Sequence, residues 1–176
     1  MNKPICQLEC LSPPLTKQII DQLITWWESI FQTNFAWLAP VLAGEEDSFT
    51  ESTLYLFRQS ERIVATSRLA HSCSDERLGC LGEVATDPQF RGRGLASKLC
   101  QLAIDDFENR KGQALFLASE NPAARILYAS LGWKPVTQSN TMAWLRDGLS
   151  PDACIADYLQ NNSHLPVKIT PGGPQY

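Results

Sequence analysis

Glu83-Val84-Ala85-Thr86-Asp87-Pro88-Gln89-Phe90-Arg91-Gly92-Arg93-Gly94-Leu95-Ala96-Ser97-Lys98 is the stretch on which the reading of this chain turns. An apolar strand at 81–86 runs through a Gly-rich turn directly into a helix. Such a turn leaves several backbone N–H groups free at a helix N-terminus, where the dipole also favours an anion. Gly92 and Gly94 allow close backbone approach, and Arg91 and Arg93 add positive charge. The segment reads as a pyrophosphate cradle. Two familiar phosphate loops do not fit it. A dinucleotide fingerprint needs a third glycine where Ser97 stands, and no Gly-Lys-Ser or Gly-Lys-Thr occurs in the chain.

Outward from that stretch, the elements alternate. Residues 4–11 read as a strand, broken by Ser12-Pro13-Pro14. Apolar residues at 15, 19, 23, 26, 27, 30 and 31 keep a helical rhythm. A second helix is expected at 34–43, stopped by Gly44. Strands at 53–59 and 62–70 form a hairpin around Ser60-Glu61, residues 71–79 read as a loop, and 81–86 adds a third strand. The helix opening at Gly94 runs to about Lys111, with Leu95, Ala96, Leu99, Leu102, Ala103 and Phe107 as its apolar stripe, and Gly112 closes it. Ala114–Ala118 is short and almost wholly apolar, as a strand buried on both faces is. A helix at 122–131 has Asn121 as its N-cap, Pro122 in its first turn and Gly132 past its end. Strands at 133–137 and 141–146 close the series. The expected fold class is α/β, a mixed sheet with helices on its faces, in a domain spanning 1–146. Residues 147–176 form an extension with a helix at 152–160 and a Pro/Gly-rich end.

Composition narrows the function. The chain has 176 residues, 44% apolar and 19% charged, enough for one well-filled core. A net charge of −4 argues against a duplex nucleic-acid partner and requires any phosphate site to be local. No run of about 18 apolar residues suggests a membrane span, and no signal-peptide pattern is visible. The six cysteines form no CxxC pair and read as reduced thiols, so a cytoplasmic location is expected. His71, Cys73 and Cys80 do not have the spacing of a zinc site, and no metal is expected.

At this point two motifs carry a resemblance. Arg91-Gly92-Arg93-Gly94-Leu95-Ala96 resembles the [QR]-x-x-G-x-[GA] loop of GCN5-related N-acetyltransferases (GNATs). Asn121-Pro-Ala-Ala-Arg-Ile-Leu-Tyr-Ala-Ser-Leu-Gly-Trp133 is similar to the family's N-x-x-A-x-x-L-Y-x-x-x-G-[FW] segment. The resemblance covers about residues 53–146. It implies a GNAT acyl-CoA N-acyltransferase fold, a central and mostly antiparallel sheet with splayed fourth and fifth strands. It implies acetyl-CoA as cosubstrate and transfer of its acetyl group to an amine acceptor in a ternary complex.

The resemblance also implies roles. Backbone groups of Arg91, Gly92, Arg93, Gly94, Leu95, Ala96 and Ser97 would hold the pyrophosphate. Val84, Ala85 and Thr86 would pair with the pantetheine arm through the main chain. Tyr128 would be the general acid for the departing thiolate, although a half-buried core tyrosine is the plainer reading of the residue. Asn121, Arg125 and Tyr128 fall within roughly 60° of each other on one helix face. Asn121 is an N-cap, a cofactor contact or both; Arg125 reaches a phosphate or solvent. Glu83, a carboxylate in an apolar strand, is the candidate base, with an acceptor-binding or exposed strand-end role as alternative. Glu120, Asp87 and His71 are weaker candidates. Trp26, Trp27, Phe31, Phe35, Trp37 and Phe49 make the region before the hairpin rich in rings, mostly core with one or two lining an acceptor pocket. Glu45-Glu46-Asp47 is an acidic loop. A small-molecule primary amine is the expected acceptor. The alternatives are a protein or peptide amine, a non-acetyl or carrier-bound acyl donor, and a non-catalytic CoA-binding domain. The chain is expected to be a monomer or homodimer.

Overall fold

The computed structural model describes residues 6–45, 48–146, 148 and 150–161. Its strands are β1 (Gln7–Leu11), β2 (Thr50–Gln59), β3 (Arg62–Ser72), β4 (Leu78–Thr86), β5 (Ala114–Ala118), β6 (Lys134–Pro135) and β7 (Thr141–Leu145). They form one seven-stranded sheet in the order β1-β2-β3-β4-β5-β7-β6, antiparallel throughout except for the parallel pair β4–β5. The helices are α1 (Lys17–Phe31), α2 (Ala39–Leu42), α3 (Leu95–Asn109), α4 (Pro122–Ser130) and α5 (Pro151–Asn161).

Two apolar cores lie against the sheet. Ile20, Leu23 and Trp27 of α1 share one with Leu38, Leu42, Leu54, Leu56 and Ile63. Leu95, Leu99, Ala103, Ile104 and Phe107 of α3 share the other with Val64, Leu69, Leu81, Leu115 and Tyr128. In each helix the buried positions recur every three or four residues, with the adjacent Ala103 and Ile104 widening the band on α3, so one stripe faces the sheet. The expected α/β class, its element order and the helix at 152–160 are observed. The last of these packs on β7, and Asp152 accepts hydrogen bonds from Thr137 N (3.1 Å) and Thr137 Oγ1 (2.8 Å).

Several boundaries differ from expectation, each for a physical reason. The helix expected at 34–43 is a 3₁₀ turn at Ala36–Leu38 followed by the four-residue α2. Side chains start that segment instead of a helical ladder: Asn34 Oδ1 accepts from Ala36 N, and Glu28 Oε1 accepts from Phe35 N. The loop expected at 71–79 shrinks to Cys73–Arg77, because β3 continues to Ser72 and β4 begins at Leu78. Gly79, which reads as a turn residue, lies inside β4. A Cβ there would come within 2.8 Å of Leu115 and 2.9 Å of Phe107, so close packing by α3 and β5 demands the glycine. The strand expected at 133–137 is only the two-residue β6.

β4 positions the site. It pairs with β5 only at Leu78↔Ala114, Gly79↔Leu115 and Cys80↔Phe116. Beyond Cys80 the two strands part. On its other side β4 shifts register against β3 between Thr66 and Arg68, leaving a bulge at Glu83 and Val84. Glu83 has φ +46°, a left-handed conformation that non-glycine residues seldom adopt. Thr66 fixes it: its Oγ1 donates to Glu83 O (2.6 Å) and accepts from Trp27 Nε1 (2.9 Å).

Candidate active site

The gap between the parted strands is a continuous cleft made of two cavities. One, of about 470 Å³, runs from the N-terminus of α3 along β4 and is lined by Val84, Ala85, Thr86, Arg91, Gly92, Gly94, Leu95, Ala96, Ser97, Asn121 and Tyr128, among others. The other, of about 460 Å³, lies above the bulge and is walled by Glu83, Val84, Ser119, Asn121 and Tyr128, with Phe31, Phe35 and Trp37. Phe31, Val84, Asn121, Ala124 and Tyr128 border both.

The first cavity has the features of an anion cradle. Gly92 and Gly94 have φ +71° and +73°, and a Cβ on either would meet no atom within 4 Å. The turn is therefore open to a ligand, and glycine is needed for backbone conformation. Gly94 is the N-cap of α3 and no side chain caps the helix; the first ladder bond is Lys98 N to Gly94 O. The amides of Leu95, Ala96 and Ser97 thus precede the hydrogen-bonded ladder, as first-turn amides do, and are free for an anion. Thr86 Oγ1, on the same wall, is buried without a hydrogen-bond partner among the described residues. These residues fit the diphosphate and arm of a CoA thioester.

The structure separates the two arginines of the loop. Arg91 borders the cavity and its Nε donates to Thr86 O (3.2 Å). Arg93 turns away, stacking 4.6 Å over the Phe90 ring and donating to Gln89 O. Arg125 likewise does not border either cavity. Its Nη1 donates to Ser119 O (3.1 Å) and Asn140 O (2.9 Å), clamping α4 to the ends of β5 and β7. Asn121 is the N-cap expected of it: its Oδ1 accepts from Ala123 N and Ala124 N, and the residue also borders the cleft.

Tyr128 is 6% exposed, and its hydroxyl makes no hydrogen bond among the described residues. Burial, with a smaller contribution from Cys100, raises its pKa above the ordinary phenol range. It is therefore protonated at neutral pH, and the residue borders both cavities. Glu83 is not a lone carboxylate. Arg68 Nε lies 2.5 Å from its Oε2, both side chains are about nine-tenths buried, and Arg68 Nη1 donates to Ser52 Oγ (3.1 Å). Arg68 is the residue that sequence reasoning missed. The available signal was an arginine in the otherwise uncharged run 63–69, with a carboxylate three positions from the end of a neighbouring strand.

The weaker candidates are occupied elsewhere. Asp87 is buried, caps the turn at Gln89 and pairs with Arg62. Glu120 accepts from Asn140 Nδ2. His71 faces Glu51 and Arg110 on the α3 side. Of the ring-bearing residues, Trp27 and Phe35 are core, and Phe31, Phe35 and Trp37 border the cleft. Glu46 and Asp47 lie outside the described residues. All six cysteines are free thiols, and no His/Cys/Asp/Glu trio is placed to hold a metal among the described residues.

Residues 17–133 match the model of the acetyltransferase (GNAT) family. The chain belongs to the GNAT family. Solved structures of the GNAT fold superpose on it. An acetyltransferase of the GNAT family from Staphylococcus aureus is 15% identical with a TM-score of 0.61, covering 79% of this chain and 99% of that one. The ribosomal-protein-S18-alanine N-acetyltransferase of Escherichia coli is 19% identical, TM-score 0.59, over 79% and 94%. An acyl-CoA N-acyltransferase from Pseudomonas aeruginosa is 17% identical, TM-score 0.62, over 79% and 97%. At these identities the likeness establishes the fold. Among curated proteins none matches the chain in sequence. This GNAT domain is an N-acyltransferase, and no helix among its described residues is long and apolar enough to cross a membrane.

Proposed function

We propose that this GNAT domain transfers the acetyl group of acetyl-CoA to the primary amine of a small molecule by direct attack in a ternary complex. The observation that carries the reading is the unbroken cleft, which runs from the free amides of α3 to the ring-lined cavity with Tyr128 bordering both halves. Acetyl-CoA supplies an activated thioester carbonyl. Amides of the 91–97 turn hold the diphosphate, and the main chain of Val84, Ala85 and Thr86 aligns the arm as an added strand. Glu83, fixed by Arg68, draws in the ammonium group and receives its proton, so that the neutral amine can attack. Tyr128 donates its phenolic proton to the departing sulfur. The reaction is placed in the cytoplasm, where the free thiols stay reduced.

Acetyl-CoA at ~100 times its Kd should stabilise the fold by about 2.7 kcal/mol, seen as a higher Tm. Release of free thiol should then require an amine. No Tm shift at millimolar acetyl-CoA would refute the cofactor assignment, and thiol release unaffected by any amine would refute the transfer.

A further inference from the structure

The cavity above the bulge describes its occupant through its walls. Phe31 and Trp37 are 40% and 49% exposed, two of the five large apolar residues that are strongly exposed among the described residues, and both line this one cavity. Phe35 joins them, its ring centroid 5.3 Å from Phe31 and 6.3 Å from Trp37, the latter only 26° from parallel. Trp27 backs Phe35 at 5.8 Å. Apolar rings left exposed together around a concavity mark a surface that a ligand covers.

The polar content of the cavity is equally restrictive. Among the described residues its only charged lining residue is Glu83, whose Oε2 pairs with Arg68. No lysine, arginine or histidine among the described residues lines it to receive a carboxylate or phosphate. Ser119 Oγ accepts from Asn121 N, and Asn121 Oδ1 caps α4, so the acceptor oxygens of both side chains are already engaged. A peptide acceptor would bring amide groups that need partners here.

We infer that the acceptor is a primary amine on a flat, aromatic body without an anionic group. Resting on the transferase reading above, this names the substrate class of the same site. The amine arrives as a cation, attracted by ring faces and by Glu83. Its aromatic body covers Phe31, Phe35 and Trp37, and its nitrogen points to the mouth of the parted strands beside Tyr128.

The test is a thiol-release assay with the full chain, acetyl-CoA, and four acceptors: phenethylamine, phenylalanine, spermidine and a short peptide with a free amino terminus. Phenethylamine should exceed each of the others in kcat/KM by about tenfold or more. Trp37→Ala should raise KM for phenethylamine roughly fivefold or more while KM for acetyl-CoA stays unchanged, and Trp37→Phe should restore most of it. Equal or better use of phenylalanine, spermidine or the peptide overturns the inference. An unchanged phenethylamine KM in Trp37→Ala does so too, as does stabilisation by acetyl-CoA with no turnover of phenethylamine. Failure of acetyl-CoA to stabilise the protein, with no thiol release from any amine, refutes instead the transferase reading on which the inference rests.

Discussion

Replacing Arg68 with methionine keeps most of the side-chain volume and removes the guanidinium that faces Glu83. The carboxylate is then left at a bulge with its partner gone and little access to water, since its side chain is 9% exposed and that of Arg68 12%. Breaking a buried pair from one side costs about 3–5 kcal/mol, and the residual exposure places this one near 3 kcal/mol. The lost bond to Ser52 Oγ adds about 1 kcal/mol. For a chain of this size each kcal/mol moves Tm by about 2–4 °C, so thermal unfolding followed by circular dichroism should show a fall of about 8–16 °C. Adding Glu83→Gln removes the stranded charge. The double variant should therefore recover at least half of the loss, a coupling of about 2 kcal/mol or more. A Tm within ~2 °C of the parent for Arg68→Met, or a double variant as unstable as the sum of the singles, would refute the pairing and the role it gives Glu83.

Tyr128→Phe should lower kcat by about 10²–10⁴ while leaving KM for acetyl-CoA and Tm nearly unchanged, because the hydroxyl makes no hydrogen bond among the described residues; an unchanged kcat removes the acid assignment. Arg125→Ala should cost about 1–3 kcal/mol in urea unfolding through the lost bonds to Ser119 O and Asn140 O, with KM for acetyl-CoA moved less than about twofold. A large rise in that KM without destabilisation would make Arg125 a phosphate ligand instead. Stability should also decline in alkali. Burial pushes the Cys100 thiol up to about 12, against about 8.5 in an unfolded chain. Its contribution is complete below about pH 8.5 and is lost between there and pH 12, as the unfolded state sheds its proton first. Tyr128, also raised, extends the loss above about pH 10. The urea midpoint should thus fall between pH 7 and 10.5, and a constant midpoint would contradict the burial of both groups.

What the sequence disclosed was local and repetitive. The Gly92–Gly94 turn, the Asn121 cap and the stripe of α3 each depend on residues a few positions apart, and each formed as the spacing indicated. What escaped it depends on partners distant in the chain. Arg68 and Glu83 meet across two strands, and only the register shift at Thr66/Arg68 brings them together. Gly79 resembles a loop residue until Phe107 and Leu115 are seen filling the space a side chain would occupy. Arg125 shares a helix face with Asn121 and Tyr128, yet carbonyls from two other segments claim it. The rings at 31, 35 and 37 were visible as a group, but which of them faced the cleft followed from how the chain turns after α1, where Gln32 adopts φ +56°.

The three residue pairs joining β4 to β5 also have a mechanical meaning. Four strands lie on one side of that seam and three on the other, and beyond Cys80 and Phe116 the sheet itself no longer ties them. A molecule lying along the open seam, hydrogen-bonded to β4 and packed against α4, would act as a strut between the halves. Stiffness across the middle of the sheet is then supplied by the ligand and withdrawn when it leaves. Amide exchange along Leu81–Thr86 and Leu117–Ser119 should slow together on binding, as two leaves of one hinge.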